Sequence, residues 1–173
     1  MDFQAVLGFK VWDNAIAKYV VFLGVLLGGW IVGHLVNALI KGKIKKLAER
    51  TETKLDDLIV GILGGPVVLI VFLVGMSMGS KMMEGGFQSL VEQIYSALVF
   101  FAAGWVVFRT IDGVNQYYLA PFLAKTETKV DDVLVPVLLR AVKVAVAIFV
   151  GLLGLEAFGY GVGPIVNFLL AFA

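Results

Sequence analysis

Two seven-residue segments, Thr51-Glu-Thr-Lys-Leu-Asp-Asp57 and Thr126-Glu-Thr-Lys-Val-Asp-Asp132, concentrate the polar chemistry of this chain. In each segment a threonine precedes an aspartate by three positions, directly before an apolar stretch. The hydroxyl and the carboxylate can each accept a hydrogen bond from an exposed backbone N–H of a helix's first turn. Negative charge is also favourable at the positive end of the helix dipole. The pattern predicts two helix starts, with capping residues Thr53, Asp56, Asp57, Thr128, Asp131 and Asp132.

Basic side chains surround both segments and continue into the apolar stretch after the second one. A lysine or arginine near an anionic membrane surface contributes about 1 kcal/mol of attraction. These residues could therefore hold anionic lipid headgroups. The simpler alternative is that the segments only start helices, while the deeper cations extend to the interface. The predicted headgroup contacts are Lys43, Lys45, Lys46, Arg50, Lys54, Lys125, Lys129, Arg140 and Lys143.

Catalytic and metal-binding chemistry is not suggested by the remaining polar residues. The chain contains no cysteine and a single histidine, His34, which we expect to be hydrogen-bonded in a structural role. Arg109 and Asp112 are three positions apart and are expected to form a local ion pair. No nucleophile is paired with a base, and no phosphate-binding loop occurs. We expect no enzyme activity, metal or cofactor, and the net charge of +1 gives no reason to expect nucleic-acid binding.

The elements that position these residues are membrane helices. Hydrophobic residues make up 60% of the chain, against about 45–50% in soluble domains. A membrane-spanning helix needs about 20 mostly apolar residues, and a fifth apolar stretch at the end of the chain, with about 12 residues, is too short for that length. We expect this stretch to be a half-span or a helix that is cut by the chain end. The four predicted spans are residues 15–40, 58–79, 91–110 and 133–158.

The distribution of basic residues predicts the orientation of the spans. Lysines and arginines crowd the first and third connections, whereas the second and fourth carry few. The positive-inside rule then places the first and third connections in the cytoplasm and the N-terminus outside it. The expected location is the cell inner membrane, with several passes. Residues 1–14 mix aromatic, apolar and charged side chains, which suits a short helix lying in the headgroup region, or else a frayed terminus.

A single offset of 75 residues aligns much of the chain with itself. It superimposes the two polar segments, and it also aligns Gly29-Trp30-Ile31-Val32 with Gly104-Trp105-Val106-Val107. Such a repeat predicts a duplicated unit. The expected fold is an all-α membrane protein with two parallel, repeated helical hairpins and a short fifth helix. The predicted divisions are an interfacial segment at 1–14, hairpins at 15–79 and 91–158, an extracytoplasmic connection at 80–90, and a final helix start at 159–173.

Three stretches in the second half, Trp105–Asp112, Leu123–Asp132 and Leu134–Arg140, resemble the small-conductance mechanosensitive channel family, and in particular its members with extra N-terminal helices. The resemblance implies a homoheptamer, a turn at Phe158-Gly-Tyr-Gly161 and a pore-helix start that includes Gly161, Gly163, Pro164 and Asn167. Two features depart from the family. The last segment is bulkier than the family's glycine- and alanine-rich pore helix, and no stretch matches the family's β-rich cytoplasmic domain.

The leading hypothesis is the sensor and pore region of a tension-gated, weakly selective channel that assembles as a homo-oligomer and contacts membrane lipids. A second hypothesis is a membrane-embedded scaffold or accessory subunit without its own pore. A third is a small carrier built from parallel repeats, although His34 and Asn37 are the only polar residues suited to a mid-membrane site.

Overall fold

Five helices form most of the structure, a computed structural model that describes residues 7–48, 61–62, 64–123 and 129–171. Before the first helix, two short antiparallel strands, β1 (Lys10–Val11) and β2 (Asn14–Ala15), pair with each other. The helices are α1 (Ile16–Ala48), α2 (Pro66–Ser80), α3 (Gly85–Val114), α4 (Lys129–Ala157) and α5 (Gly163–Leu170).

Three helical segments in the described part of the chain are long and apolar enough to cross a membrane: Ile16–Gly42, Gly85–Leu123 and Leu134–Ala157. In each segment, at most 11% of the most apolar stretch is buried inside the protein, as expected for surfaces that face hydrocarbon. The chain is therefore a multi-pass, predominantly helical membrane protein. Helix α2 is apolar but has only 15 residues. Its predicted span began at residue 58. Residues 58–60 and 63 of that span lie outside the described residues.

Helices α1 and α2 run antiparallel and touch through their backbones. A Cβ atom on Gly33 would lie 2.9 Å from the carbonyl oxygen of Val68. Closer to the other end, a Cβ atom on Gly75 would lie 3.5 Å from Cα of Gly29. Small residues allow such approach, and close packing is a main source of helix association in lipid. We call α1 and α2 the first helix pair.

Helices α3 and α4 also run antiparallel, and we call them the second helix pair. Near the middle, a Cβ atom on Gly104 would lie 2.5 Å from Cγ2 of Val150, so this valine occupies the space that the glycine leaves. Helix α2 packs against α3 and joins the two pairs. A small apolar core lies among α1, α2 and α3, formed by the buried residues Phe22, Leu73, Met76, Met83, Val91 and Ala102.

Helix α3 is longer than its predicted span, residues 91–110. A π-helical turn, Asn115–Leu119, and a last α-helical turn, Ala120–Leu123, continue it without a break. Within the π turn the N–H of Ala120 donates to the carbonyl of Asn115. Pro121 follows at once and has no N–H to donate, and its ring would clash with the preceding turn of a regular α-helix. The wider turn accommodates the proline.

Residues 10–15, directly before α1, form a β-hairpin and not part of a helix, whereas residues 1–6 of the predicted interfacial segment lie outside the described residues. Trp12 and Asp13 form its two-residue turn with φ values of 47° and 64°, as in the turns that join short antiparallel strands. Asn14 is fully buried: its amide nitrogen donates to the carbonyls of Trp12 and Glu84 at 2.7 and 2.9 Å, and its amide oxygen accepts from the N–H of Glu84 at 2.9 Å. The hairpin could not be read from the local pattern because Asn14 finds two of these bonds 70 residues away.

An ion pair beside the β-hairpin predicts a pH dependence. Nζ of Lys18 lies 2.6 Å from Oε1 of Glu84, and this hydrogen bond, with the charge of Lys18, holds the pKa of Glu84 below its ordinary value. A carboxyl whose pKa is lower in the folded state stabilises the fold at pH above its unfolded pKa, and this contribution is lost as the pH falls through the folded pKa.

We therefore expect Lys18→Gln to lower the thermal midpoint of the detergent-solubilised protein at neutral pH and to have little effect in acid, where Glu84 is protonated. The check is a thermal melt of both proteins across an acidic pH series. The variant Lys81→Gln, which removes an exposed lysine near the same connection, is the control. A difference between Lys18→Gln and the wild type that stays constant from neutral to acidic pH would contradict the assignment.

Candidate functional site

The sequence-predicted polar segments lie mostly outside the part of the chain that the structure describes. Lys43, Lys45 and Lys46 belong to the last turns of α1, and Lys129, Asp131 and Asp132 belong to the first turn of the described part of α4. The structure thus places these basic and acidic residues in helical segments that border parts of the chain it does not describe. The remaining predicted contacts and caps, Arg50, Thr53, Lys54, Asp56, Asp57, Lys125 and Thr128, lie outside the described residues.

An ion pair joins the two helices of the second pair. Nζ of Lys143 on α4 donates to Oδ1 of Asp112 on α3. The expected local pair of Asp112 with Arg109 is therefore replaced by a pair across helices. Lys143 is partly buried, with 34% of its side chain exposed, because it reaches sideways to α3. Arg140, one turn earlier on α4, is exposed, which leaves its guanidinium accessible to lipid headgroups or water.

Reversing the charge at Asp112 provides a test of this contact. We expect Asp112→Lys to lower the free energy of unfolding by about 1 kcal/mol, the upper end for partly exposed ion pairs, because two ammonium groups would face each other. The double variant Asp112→Lys/Lys143→Asp should recover most of the loss. Denaturant titration in mixed micelles measures both values, with Arg109→Gln as the single-charge control. No recovery in the double variant would contradict the pairing.

The connection from α4 to α5 is a tight turn that depends on glycine. Gly159 and Gly161 have φ values of 81° and 62°, in the left-handed region that glycine enters without steric cost. Gly163 and Pro164 then begin α5, where a proline suits the first helical turn because its missing N–H has no partner there. Asn167 is exposed on α5. The four residues predicted for the pore-helix start therefore lie in one turn and the first part of one helix.

Three apolar side chains of α5 are more than half exposed in the part of the chain that the structure describes. Ile165, Phe168 and Leu170 are 52%, 63% and 56% exposed. In a membrane such a surface can face lipid or another protein. The helix has eight residues in the structure, which is about 12 Å at 1.5 Å per residue. Its exposed apolar surface is available for contact with other copies of the chain.

The two polar residues on the first span do not form a shared site. His34 is exposed, and its ring packs edge-on against Trp30 at 4.6 Å between centroids. The side-chain oxygen of Asn37 is buried and has no hydrogen-bond partner among the described residues. Within the same described ranges, no cluster of three histidine or acidic side chains could hold a metal ion. These observations give the carrier hypothesis no support.

Sequence reasoning did not identify Asn14 or Glu84 as partners, although together they fix the start of α1 to the connection before α3. A signal was present: Trp-Asp-Asn is a turn-prone sequence, and it precedes a helix directly. The role of Phe22 was also missed. Its ring is buried against Gly79 of α2, a contact that only the folded helix pair reveals.

Comparison with known proteins gives one relationship over most of the chain. The small-conductance mechanosensitive channel MscMJ of Methanocaldococcus jannaschii is 25% identical over 158 residues, which is 90% of this chain. The chain spans 45% of the length of that relative. No protein-family model matches the chain, and no solved structure matches it. The relative is named as a channel and not as an enzyme. The match covers nearly all of the chain and agrees with the motifs of its second half, so the chain is similar, over the part that it spans, to a small-conductance mechanosensitive channel.

Proposed function

We propose that the chain is the sensor and pore-entry region of a tension-gated, weakly selective channel. The observation that carries this proposal is the match of 90% of the chain to a mechanosensitive channel. The three apolar spans and the basic residues at the ends of α1 and α4 are consistent with such a role.

In this proposal the two helix pairs are copies of one hairpin in the same orientation. Support comes from equivalent contacts. Gly29 lies against Gly75 in the first pair, and the residues 75 positions later, Gly104 and Val150, lie against each other in the second. A duplicated unit should reuse its helix contact in this way. The positive-inside rule then gives an N-terminus outside the cytoplasm of an inner membrane.

The basic residues are proposed to bind anionic lipid headgroups at the cytoplasmic face. Arg140 is exposed one turn before Lys143, so the two could share a headgroup phosphate, since residues three apart lie on one helix face. Lys143 would divide its charge between that phosphate and Asp112. The same role is proposed for the cations near the two polar segments: Lys43, Lys45, Lys46, Arg50, Lys54, Lys125 and Lys129.

The pore is proposed to form where copies of α5 meet around an axis, in a homo-oligomer that family resemblance suggests is a homoheptamer. The exposed apolar side chains of α5 support such an assembly. Gating then needs no ligand. If the open state occupies more membrane area than the closed state, tension lowers its free energy relative to the closed state and shifts the population toward it.

The test is patch recording from liposomes that contain the native-length protein, under increasing suction. We expect channel openings whose probability rises with tension and which pass cations and anions alike. Arg140→Gln should alter the tension at half-opening, whereas Arg109→Gln, on the neighbouring helix, is the matched control. Electrical silence of well-folded, membrane-inserted protein at all tensions up to patch rupture would contradict the channel proposal and favour an accessory subunit without a pore.

A further inference from the structure

The two helix pairs differ at one equivalent packing position. In the first pair, the ring of Phe22 lies on Gly79, where a Cβ atom would be 2.7 Å from Cδ2 of the ring. The same two positions in the second pair, after the 75-residue offset, are Ala97 and Gly154. Nothing lies within 4 Å of a Cβ atom built on Gly154. An aromatic side chain therefore fills the first pair at a place where the second pair is open.

The open position is part of a cavity between α3 and α4. This cavity has a volume of about 690 Å³ and is lined by apolar residues that include Ala97, Leu98, Phe101, Ala147, Gly151 and Gly154. We call it the α3–α4 cavity. The cavity is open to the surroundings of the protein. In a membrane, its apolar lining favours occupation by hydrocarbon from outside the pair.

The first pair, in contrast, is held by contacts at three positions along its length. Its helices touch through their backbones at Gly33 and Val68, and Phe22 fills the space over Gly79. Beyond that level, the buried Asn14 ties the start of α1 to Glu84, in the connection between α2 and α3. All of these contacts are made by groups of the chain itself, so none of them depends on a lipid that could be exchanged.

The second pair has fewer fixed contacts between its helices. Val150 packs into the space at Gly104 near the middle, and the pair of Asp112 and Lys143 joins the helices on one side of that point. The α3–α4 cavity lies mainly on the other side. Helices whose contacts lie on one side of such a cavity, with replaceable apolar material beyond them, can shift by small sliding movements.

We propose that the second helix pair changes its internal packing when membrane tension changes, and that the first helix pair moves as one rigid unit. The difference arises from the divergence of one position, phenylalanine at 22 and alanine at 97. Under this proposal the two copies of the duplicated hairpin have separate mechanical roles, a rigid support and a deformable element. The deformation itself does not require that the protein conducts ions.

The experiment measures distances within each pair by spin labels on introduced cysteines, in the native-length protein in phosphatidylcholine vesicles. The chain has no cysteine of its own. Leu23 and Met78 provide exposed sites on the first pair, and Val99 and Leu155 provide them on the second. Lysophosphatidylcholine added to one leaflet supplies the tension-like stress. We expect a shift of about 2 Å, typical of helix shear, in the second pair and no resolved shift in the first.

Exchanging the divergent residues tests the cause. Ala97→Phe should occupy the part of the α3–α4 cavity that lies over Gly154 and reduce the shift in the second pair. Phe22→Ala should open an equivalent space and make the first pair responsive. If both pairs shift equally in the wild type, or if Ala97→Phe leaves the second shift unchanged, the proposal is overturned. If the distances respond as expected in a protein that does not conduct ions, this inference stands and the channel function is contradicted.

Discussion

Replacement of Gly33 by alanine is expected to lower the free energy of unfolding by about 2 kcal/mol, within the range for overpacking of a close interface. The added methyl group would meet the carbonyl oxygen of Val68 at 2.9 Å and its Cα at 3.1 Å. Both are backbone atoms, so α2 must move as a whole to relieve the contact. This loss outweighs the gain of about 1 kcal/mol that alanine has over glycine in a helix.

The matched control is Gly24→Ala on the same helix. Gly24 has nothing within 4 Å of an added Cβ atom, so only the helix-propensity gain remains and the variant should be as stable as the wild type or slightly more so. Unfolding in mixed micelles by denaturant titration gives both values. Equal effects of the two substitutions would mean that the backbone contact between α1 and α2 does not limit the packing of the first helix pair.

Replacement of Asn14 by alanine is expected to cost about 3 kcal/mol, because a buried donor or acceptor without a partner costs about 1–3 kcal/mol. The substitution removes three hydrogen bonds and leaves the N–H and carbonyl of Glu84 and the carbonyl of Trp12 without this partner. Asn14 is fully buried, so water can replace these bonds only if the β-hairpin leaves its position.

The thermal midpoint in detergent and the hydrogen exchange of the Glu84 amide report this loss. Exchange at Glu84 should become faster in Asn14→Ala, because its amide loses its acceptor. Ser80→Ala is the control: Ser80 is also buried, but its hydroxyl donates locally to the carbonyl of Ser77, three residues earlier in the same helix. We expect a much smaller change there. A similar loss in both variants would show that the β-hairpin does not fix α1 to the α2–α3 connection.

The sequence predicted much of the architecture because its main signals are local. Apolar stretches of membrane-spanning length predicted the spans that the structure describes as α1, α3 and α4, and hydrocarbon solvent requires such stretches to be helical. The motifs from Trp105 onward indicated a resemblance to the channel family, and the match to the archaeal channel confirms that resemblance. The predicted lipid contacts and helix caps stay predictions.

The partners of polar side chains in ion pairs and hydrogen bonds could not be predicted from such local signals. Asp112 had a cation three positions away in Arg109, and the sequence favoured that pair. The structure pairs Asp112 with Lys143, 31 residues later, because antiparallel packing of α3 and α4 brings them together. The β-hairpin was missed for a similar reason, since the buried amide of Asn14 needs the backbone of Glu84 to be satisfied.

By itself the sequence determined that this protein is a helical membrane protein, because hydrophobicity is a property of the chain alone, and its 75-residue repeat predicted a duplicated unit. The repeat suggested two equivalent hairpins. Only the tertiary structure decided that they differ, with Phe22 filling the first pair against Gly79 and a cavity at Ala97 and Gly154 in the second. Packing depends on which side chain faces which helix, and that is fixed only when the helices meet.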